Sequence, residues 1–244
     1  MNERFSPRLR RWLTAAGIVF RFVLLIAGLS AALWFALIHF PDAYNPFTPP
    51  DIREAPNAVT PLKLRGLAGE YQICTSVVKA SGAKAERTSI SSSSEGCGME
   101  RGLRLQQSRI SYGGGIDLTC PAMTALLMWE RHVVEPAARE YLGSEVTLIR
   151  HMGTYSCRNV NHSAEGRRSG HAAANAIDIQ GFDIADGRRI TLLADWGEET
   201  DEGRFLSAVH EGACSIFPMV LGPDYNTLHA NHFHFEISRW GVCR

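Results

Sequence analysis

A run of 19 residues with no Asp, Glu, Lys or Arg, FVLLIAGLSAALWFALIHF from Phe22 to Phe40, constrains this chain more than any other feature. An α-helix needs about 20 such residues to cross the hydrocarbon core of a bilayer. Arg4, Arg8, Arg10 and Arg11 precede the run. By the positive-inside tendency they predict a cytoplasmic basic N-terminus over residues 1–21, with the bulk of the chain beyond the membrane. Arg21 sits at the cytoplasmic edge, where a long stem lets the guanidinium reach the headgroups. The run is longer than a signal-peptide core, and no small-x-small cleavage pattern follows it. The expectation is therefore an uncleaved single-pass anchor over 22–40 rather than a removed leader.

Everything after the anchor is consistent with an exported domain. The six cysteines, Cys74, Cys97, Cys120, Cys157, Cys214 and Cys243, all lie beyond the run. In an oxidising compartment an even set of this kind predicts up to three disulfides, with fifteen possible pairings. None forms a C-x-x-C pair, which counts against a thiolate zinc site or a redox motif. Residues 41–61 carry six prolines and read as a stiff, extended spacer. That leaves 62–244 as the folded domain, large enough to bury a core. Its basic and acidic residues balance, 25 Lys and Arg against 25 Asp and Glu over the chain. With no basic excess to neutralise phosphates, nucleic acid is excluded as a main partner.

Within the domain, Cys74 and a short strand fall in 70–92, and the serine-rich loop 89–99 lies close to two cysteines, as a pinned surface loop would. A strand is expected over 102–111, then a turn, a short strand and a helix start over 113–121. Thr119 or Cys120 would cap that helix, with Pro121 in its first turn, where a missing N–H costs nothing. PAMTALLMWERHVVEPAAREYL (121–142) is the best helical stretch, with Ala122, Leu126, Trp129, Val133 and Ala137 near the 3.6-residue period. Met128 and Trp129 read as core, His132 as structural, and Pro136 is expected to kink or break the helix. EVTLIR (145–150) reads as a strand, Asp186-Gly187 as the turn of a hairpin, 200–213 as a helix and 232–237 as the last strand. The mixture predicts an α+β domain: a small mixed or antiparallel sheet with flanking helices.

Two stretches carry chemistry. His171 and Asp178 lie seven residues apart, and His232 and His234 two apart. The first spacing is too wide for one helical turn and suits a bend leading into a strand, with Gly170 easing the entry. In HFHFE, a period of two puts His232 and His234 on one face and Phe233 and Phe235 on the other. Two imidazoles and one carboxylate give a catalytic zinc three ligands and an open fourth position for water. A further histidine can then handle protons near neutral pH. A lone His or Asp is ordinarily a solvated structural group; the pairing of the two motifs is what points to a metal.

Ser169-Gly170-His171, then Ala176-Ile177-Asp178, then His232-Phe233-His234 resembles the signature of the LAS metallopeptidases, which include zinc D-Ala-D-Ala carboxypeptidases and peptidoglycan endopeptidases. The cysteine context (Cys97-Gly98, Cys120-Pro121, Cys157-Arg158-Asn159, Leu221-Gly222-Pro223 and Cys243) more closely resembles the bacterial extensin-like C-terminal domain, related to that group, over roughly 65–244. Carried over by position, the resemblance implies a LAS-like fold and a Zn²⁺ ion held by His171, Asp178 and His234. It places His232 where a proton is exchanged with water or leaving amine, and Arg158 where an arginine steadies the substrate carbonyl or oxyanion. Ser169 falls at the serine before the first ligand, in a supporting position. The family often has Gly where this chain has Ala174, a departure that bears on substrate fit more than on metal binding.

The implied protein is an inner-membrane-anchored periplasmic zinc peptidase acting on peptidoglycan peptides, at a bond involving a D-amino acid. The alternative is a non-catalytic cell-wall-binding or scaffolding module that retains the metal site. A purely structural zinc is disfavoured, since such sites take four protein ligands and the cysteines are assigned to disulfides. His162 and Glu236 are candidates for supporting roles. The direction of His229 is not fixed by its neighbours, and Arg167-Arg168 reads as a solvated pair able to meet acidic peptides.

Overall fold

The computed structural model describes residues 7–244, with side chains from Ala16 onward. The expected basic cluster Arg4, Arg8, Arg10 and Arg11 thus lies outside the described side chains. Contacts divide the chain into two units, Met1–Asn45 and Pro46–Arg244.

The first unit is dominated by helix α1, Pro7–His39. Its stretch Ala16–His39 is long and apolar enough to cross a membrane. Phe22, Leu29 and Phe35 are all more than half exposed. A helix apolar on every side with none of it buried in protein suits lipid as its surroundings.

The second unit takes in part of the proline-rich stretch. Ile52 is buried in the core, and its carbonyl accepts a hydrogen bond from His132 Nε2 at 2.8 Å. Helix α2, Thr60–Gly66, begins before the last proline of that stretch. Prolines fix φ, so laying this segment down on the domain surrenders little conformational freedom.

Helix α3, Tyr71–Ala80, was not expected and precedes the short strand expected within 70–92; Cys74 and Val78, one turn apart, form its buried side. Strands β1 (Lys84–Ile90), β2 (Met99–Gln107) and β3 (Ile116–Thr119) make an antiparallel three-stranded sheet with β2 central. Helix α4, Cys120–Trp129, follows, and every one of its residues is buried. Instead of breaking at Pro136, the chain runs on helically to Leu142 through wide π turns at Glu130–Val134 and Ala138–Leu142. Those turns accommodate the proline ring and its missing donor.

The larger sheet has six strands: β4 (Val146–Gly153), β5 (Ala176–Ile184), β6 (Arg189–Thr191), β7 (Met219–Leu221), β8 (Phe233–Glu236) and β9 (Val242–Cys243). They run in the order β4-β5-β8-β7-β9, with β6 also on β5, and all pairings are antiparallel except β7 with β9. The β5–β6 turn is at Asp186-Gly187, with Gly187 at φ 94°. Helix α5, Asp201–Cys214, is capped by Thr200 Oγ1, which accepts from Gly203 N. The fold is therefore α+β as expected, although with two sheets. Trp129, at the end of α4, packs on Phe182 of β5 and Phe235 of β8, joining the central helix to the sheet that carries Asp178 and His234.

The cysteines pair as Cys74–Cys120, Cys97–Cys157 and Cys214–Cys243. In order, these tie α3 to α4, the β1–β2 loop to the segment before the centre, and α5 to β9. Losing such a crosslink ordinarily costs about 2–5 kcal/mol.

Candidate metal centre

Strand alternation sets the site. Phe233 and Phe235 are fully buried, and Phe235 stacks on Phe217. Burial of a side chain of this kind stabilises by about 1.5–3 kcal/mol, so the register of β8 cannot slip by one without exposing both rings. The opposite face must then carry His232, His234 and Glu236. On β5, Asp178 lies directly across from His234. His171 arrives from a 3₁₀ turn, Gly170–Ala173, whose start is capped by Ser169 Oγ accepting from His171 N. The turn leaves through Ala174 at φ 50°, a left-handed position that favours glycine.

Three ligand atoms converge. His171 Nε2 lies 3.0 Å from Asp178 Oδ1 and 3.2 Å from His234 Nδ1, and His234 Nδ1 lies 2.9 Å from Asp178 Oδ1. Arms of about 2.0–2.1 Å at tetrahedral angles place ligand atoms about 3.3–3.4 Å apart, so the triangle fits one face of a zinc tetrahedron. The outer nitrogens decide what points inward. His171 Nδ1–H donates to the Thr154 carbonyl at 3.2 Å, and His234 Nε2–H donates to Glu236 Oε2 at 3.1 Å. With those protons assigned from their partners, both inward nitrogens present lone pairs toward a carboxylate. Three acceptors turned on one another at this distance require a cation among them, either a proton or a metal.

Electrostatics agree. Burial opposes charge on Asp178, but the neighbouring His171 and His234 outweigh it and hold the carboxyl well below the usual range. Burial likewise opposes charge on His234, and the Asp178 and Glu236 carboxylates push it up to about 9. A proton on His234 Nδ1 thus does the bridging when no metal is bound, and a metal ion would displace it.

Around the triangle stand groups able to act on a substrate. His232 Nε2 is 3.7 Å from Asp178 Oδ1, while its Nδ1–H donates to Asn231 Oδ1 at 2.9 Å. Burial pulls its pKa down, leaving a neutral imidazole with a free lone pair on the site side. Arg158 Nη2 stands 4.0 Å from Asp178 Oδ2. Both belong to a cavity of about 130 Å³ that Arg167, Tyr225, His229 and His234 also line. His229, undecided from sequence, is here: its ring is 5.1 Å from that of His232, and burial, then the neighbouring imidazoles, lower it to about 4. His162 does not line this cavity.

Glu236, an open candidate in the sequence, is brought to the centre, and the period of two that pairs His232 with His234 is the signal that could have placed it there. Gly170 makes room for it: a Cβ on Gly170 would lie 2.4 Å from Glu236 Oε2. Asn175 was missed altogether. Its Oδ1 accepts from Thr119 Oγ1 at 2.6 Å and its Nδ2 donates to the Ile237 carbonyl, tying the turn after His171 to the end of β8. Among the described residues one other grouping, His210, Cys214 and Cys243, has metal-ligand spacing, but its two sulfurs are bonded to each other.

No curated protein and no solved structure matches the chain. A family model described as Extensin-like protein C-terminus matches residues 72–244. That span holds all six cysteines and both halves of the centre, and the chain belongs to the extensin-like C-terminal family.

Proposed function

We propose that this chain is a zinc peptidase, related to the LAS metallopeptidases, that cleaves peptidoglycan peptides at a bond involving a D-amino acid. The observation that carries the proposal is the triangle of His171, Asp178 and His234, with both outer imidazole nitrogens already hydrogen-bonded. When bound there, zinc supplies a Lewis acid and an acidified water. Asp178, His171 and His234 would hold it, and His232 and Arg158 line the adjoining cavity open to substrate. His232, neutral and oriented by Asn231, takes the proton from the attacking water at Nε2 and returns it to the leaving amine. Arg158 faces negative charge building on the scissile carbonyl oxygen. The apolar stretch Ala16–His39 of α1, the arginines that precede it in the sequence and three disulfides support a single-pass protein of the inner membrane, its N-terminus cytoplasmic and its domain periplasmic.

Full-length protein in detergent, incubated with purified muropeptides, should release shorter peptides or amino acids detectable by mass spectrometry. His232→Ala should retain zinc while turnover falls about 10²–10⁴-fold. Unchanged turnover in that variant would remove His232 from the mechanism. One observation favours a non-catalytic cell-wall-binding module instead: the cavity of about 130 Å³ is smaller than the ~300–1,000 Å³ of ordinary small-molecule sites. Zinc-dependent binding to purified sacculi with no product would decide for that alternative.

A further inference from the structure

A second cleft, of about 500 Å³, is lined by Arg65 of α2, Arg101 of β2 and Arg239, which follows β8. Several other arginines of the domain are paired, as Arg104 is with Asp117 and Arg188 with Asp186 and Glu202. These three are different. No carboxylate lines their cleft, and among the described residues none of their guanidiniums has an ion-pair or hydrogen-bond partner. The cleft is also lined by Leu67, Pro121 and Ile237. Leu67 and Ile237 are themselves buried, and with Ala68 exposed and Tyr71 and Ala173 half-buried beside them the wall offers apolar area on the scale of one side chain, too little to house an acyl tail.

We propose that this cleft binds an acidic, partly apolar peptide segment. Guanidiniums match carboxylates in a forked geometry, and three of them on three different elements suit carboxylates spaced along a chain. The apolar wall then takes a side chain between the acids. Asn175 belongs to the same cleft and stands three residues before Asp178, about 10 Å along a strand. The cleft nonetheless shares no lining residue with the cavity beside His232 and His234, and binding there does not depend on a bound metal.

The test uses the full chain in phosphatidylcholine nanodiscs and the fluorescein-labelled peptide Glu-Leu-Glu-Leu-Glu-Leu, followed by anisotropy. Saturable binding is expected, weakened by salt. Arg65→Ala, Arg101→Ala and Arg239→Ala should each weaken it about threefold, as for exposed ion pairs, and the triple variant about thirtyfold. Arg53→Ala, which removes an exposed arginine already paired with Asp51, should leave it unchanged. The Glu-Ser analogue should bind at least about threefold more weakly for want of apolar contact. The proposal is overturned by absent or unsaturable binding, by an equal loss in Arg53→Ala, or by equal affinity for the Glu-Ser peptide. It is also overturned in favour of a lipid headgroup if phosphatidylglycerol in the disc displaces the peptide.

Discussion

Two buried carboxyl groups in one domain are treated in opposite ways. Asp178 stands within 3.0 Å of two imidazole nitrogens and faces Arg158, so it stays ionised despite burial. Glu130, in the π turn after α4, is fully buried. Tyr112 OH and Ser108 Oγ donate to its Oε1 at 2.7 and 3.0 Å, while Oε2 has no partner. Burial dominates those two donors and raises its pKa from 4.5 to about 7. The fold sets imidazoles and a guanidinium around one carboxyl group and only neutral hydroxyls around the other.

Parallel amide substitutions separate the two. Asp178→Asn keeps the shape but removes the charge that offsets a divalent ion; zinc affinity should fall at least about a thousandfold, measured by chelator competition. Glu130→Gln should leave zinc affinity unchanged. An equal loss in both variants would erase the contrast.

The next effect is on stability. Because folding raises the pKa of Glu130, its contribution is full below about 4.5 and is lost as pH rises through about 7. At 1.36 kcal/mol per pH unit, the gap amounts to about 3 kcal/mol. The full chain in detergent should therefore be more stable to denaturant at pH 5 than at pH 8, and Glu130→Gln should flatten that part of the profile. A profile identical to wild type would show that Glu130 ionises freely in the fold.

Smaller still is the effect of Glu236, which accepts the outer proton of His234. Its removal in Glu236→Ala should weaken zinc binding about 10–100-fold, with partial rescue by Glu236→Gln, whose amide oxygen still accepts. Unaltered affinity in Glu236→Ala would mean that the packing of β8 alone orients His234.

What was legible in the sequence follows from period and residue type. Alternation in HFHFE gives both the buried phenylalanines and the face carrying His232 and His234, and the helix after Pro121 is visible from its apolar content. The pairing of the cysteines depends on long-range packing and could not be read. The Thr154 carbonyl that orients His171 belongs to the main chain and leaves no residue-type signal. Helix α3 was hidden because its buried side is little more than Cys74 and Val78. The burial of Ile52 was hidden behind prolines that fit an extended segment laid on a domain as well as a spacer.

The central claim is that His171, Asp178 and His234 form a metal site. Its most direct test is a zinc titration of the metal-free full chain in detergent against a chromophoric chelator. One equivalent should bind to the wild type, and none with comparable affinity to His234→Ala. No zinc uptake by the wild type, or equal uptake by the variant, would contradict the claim.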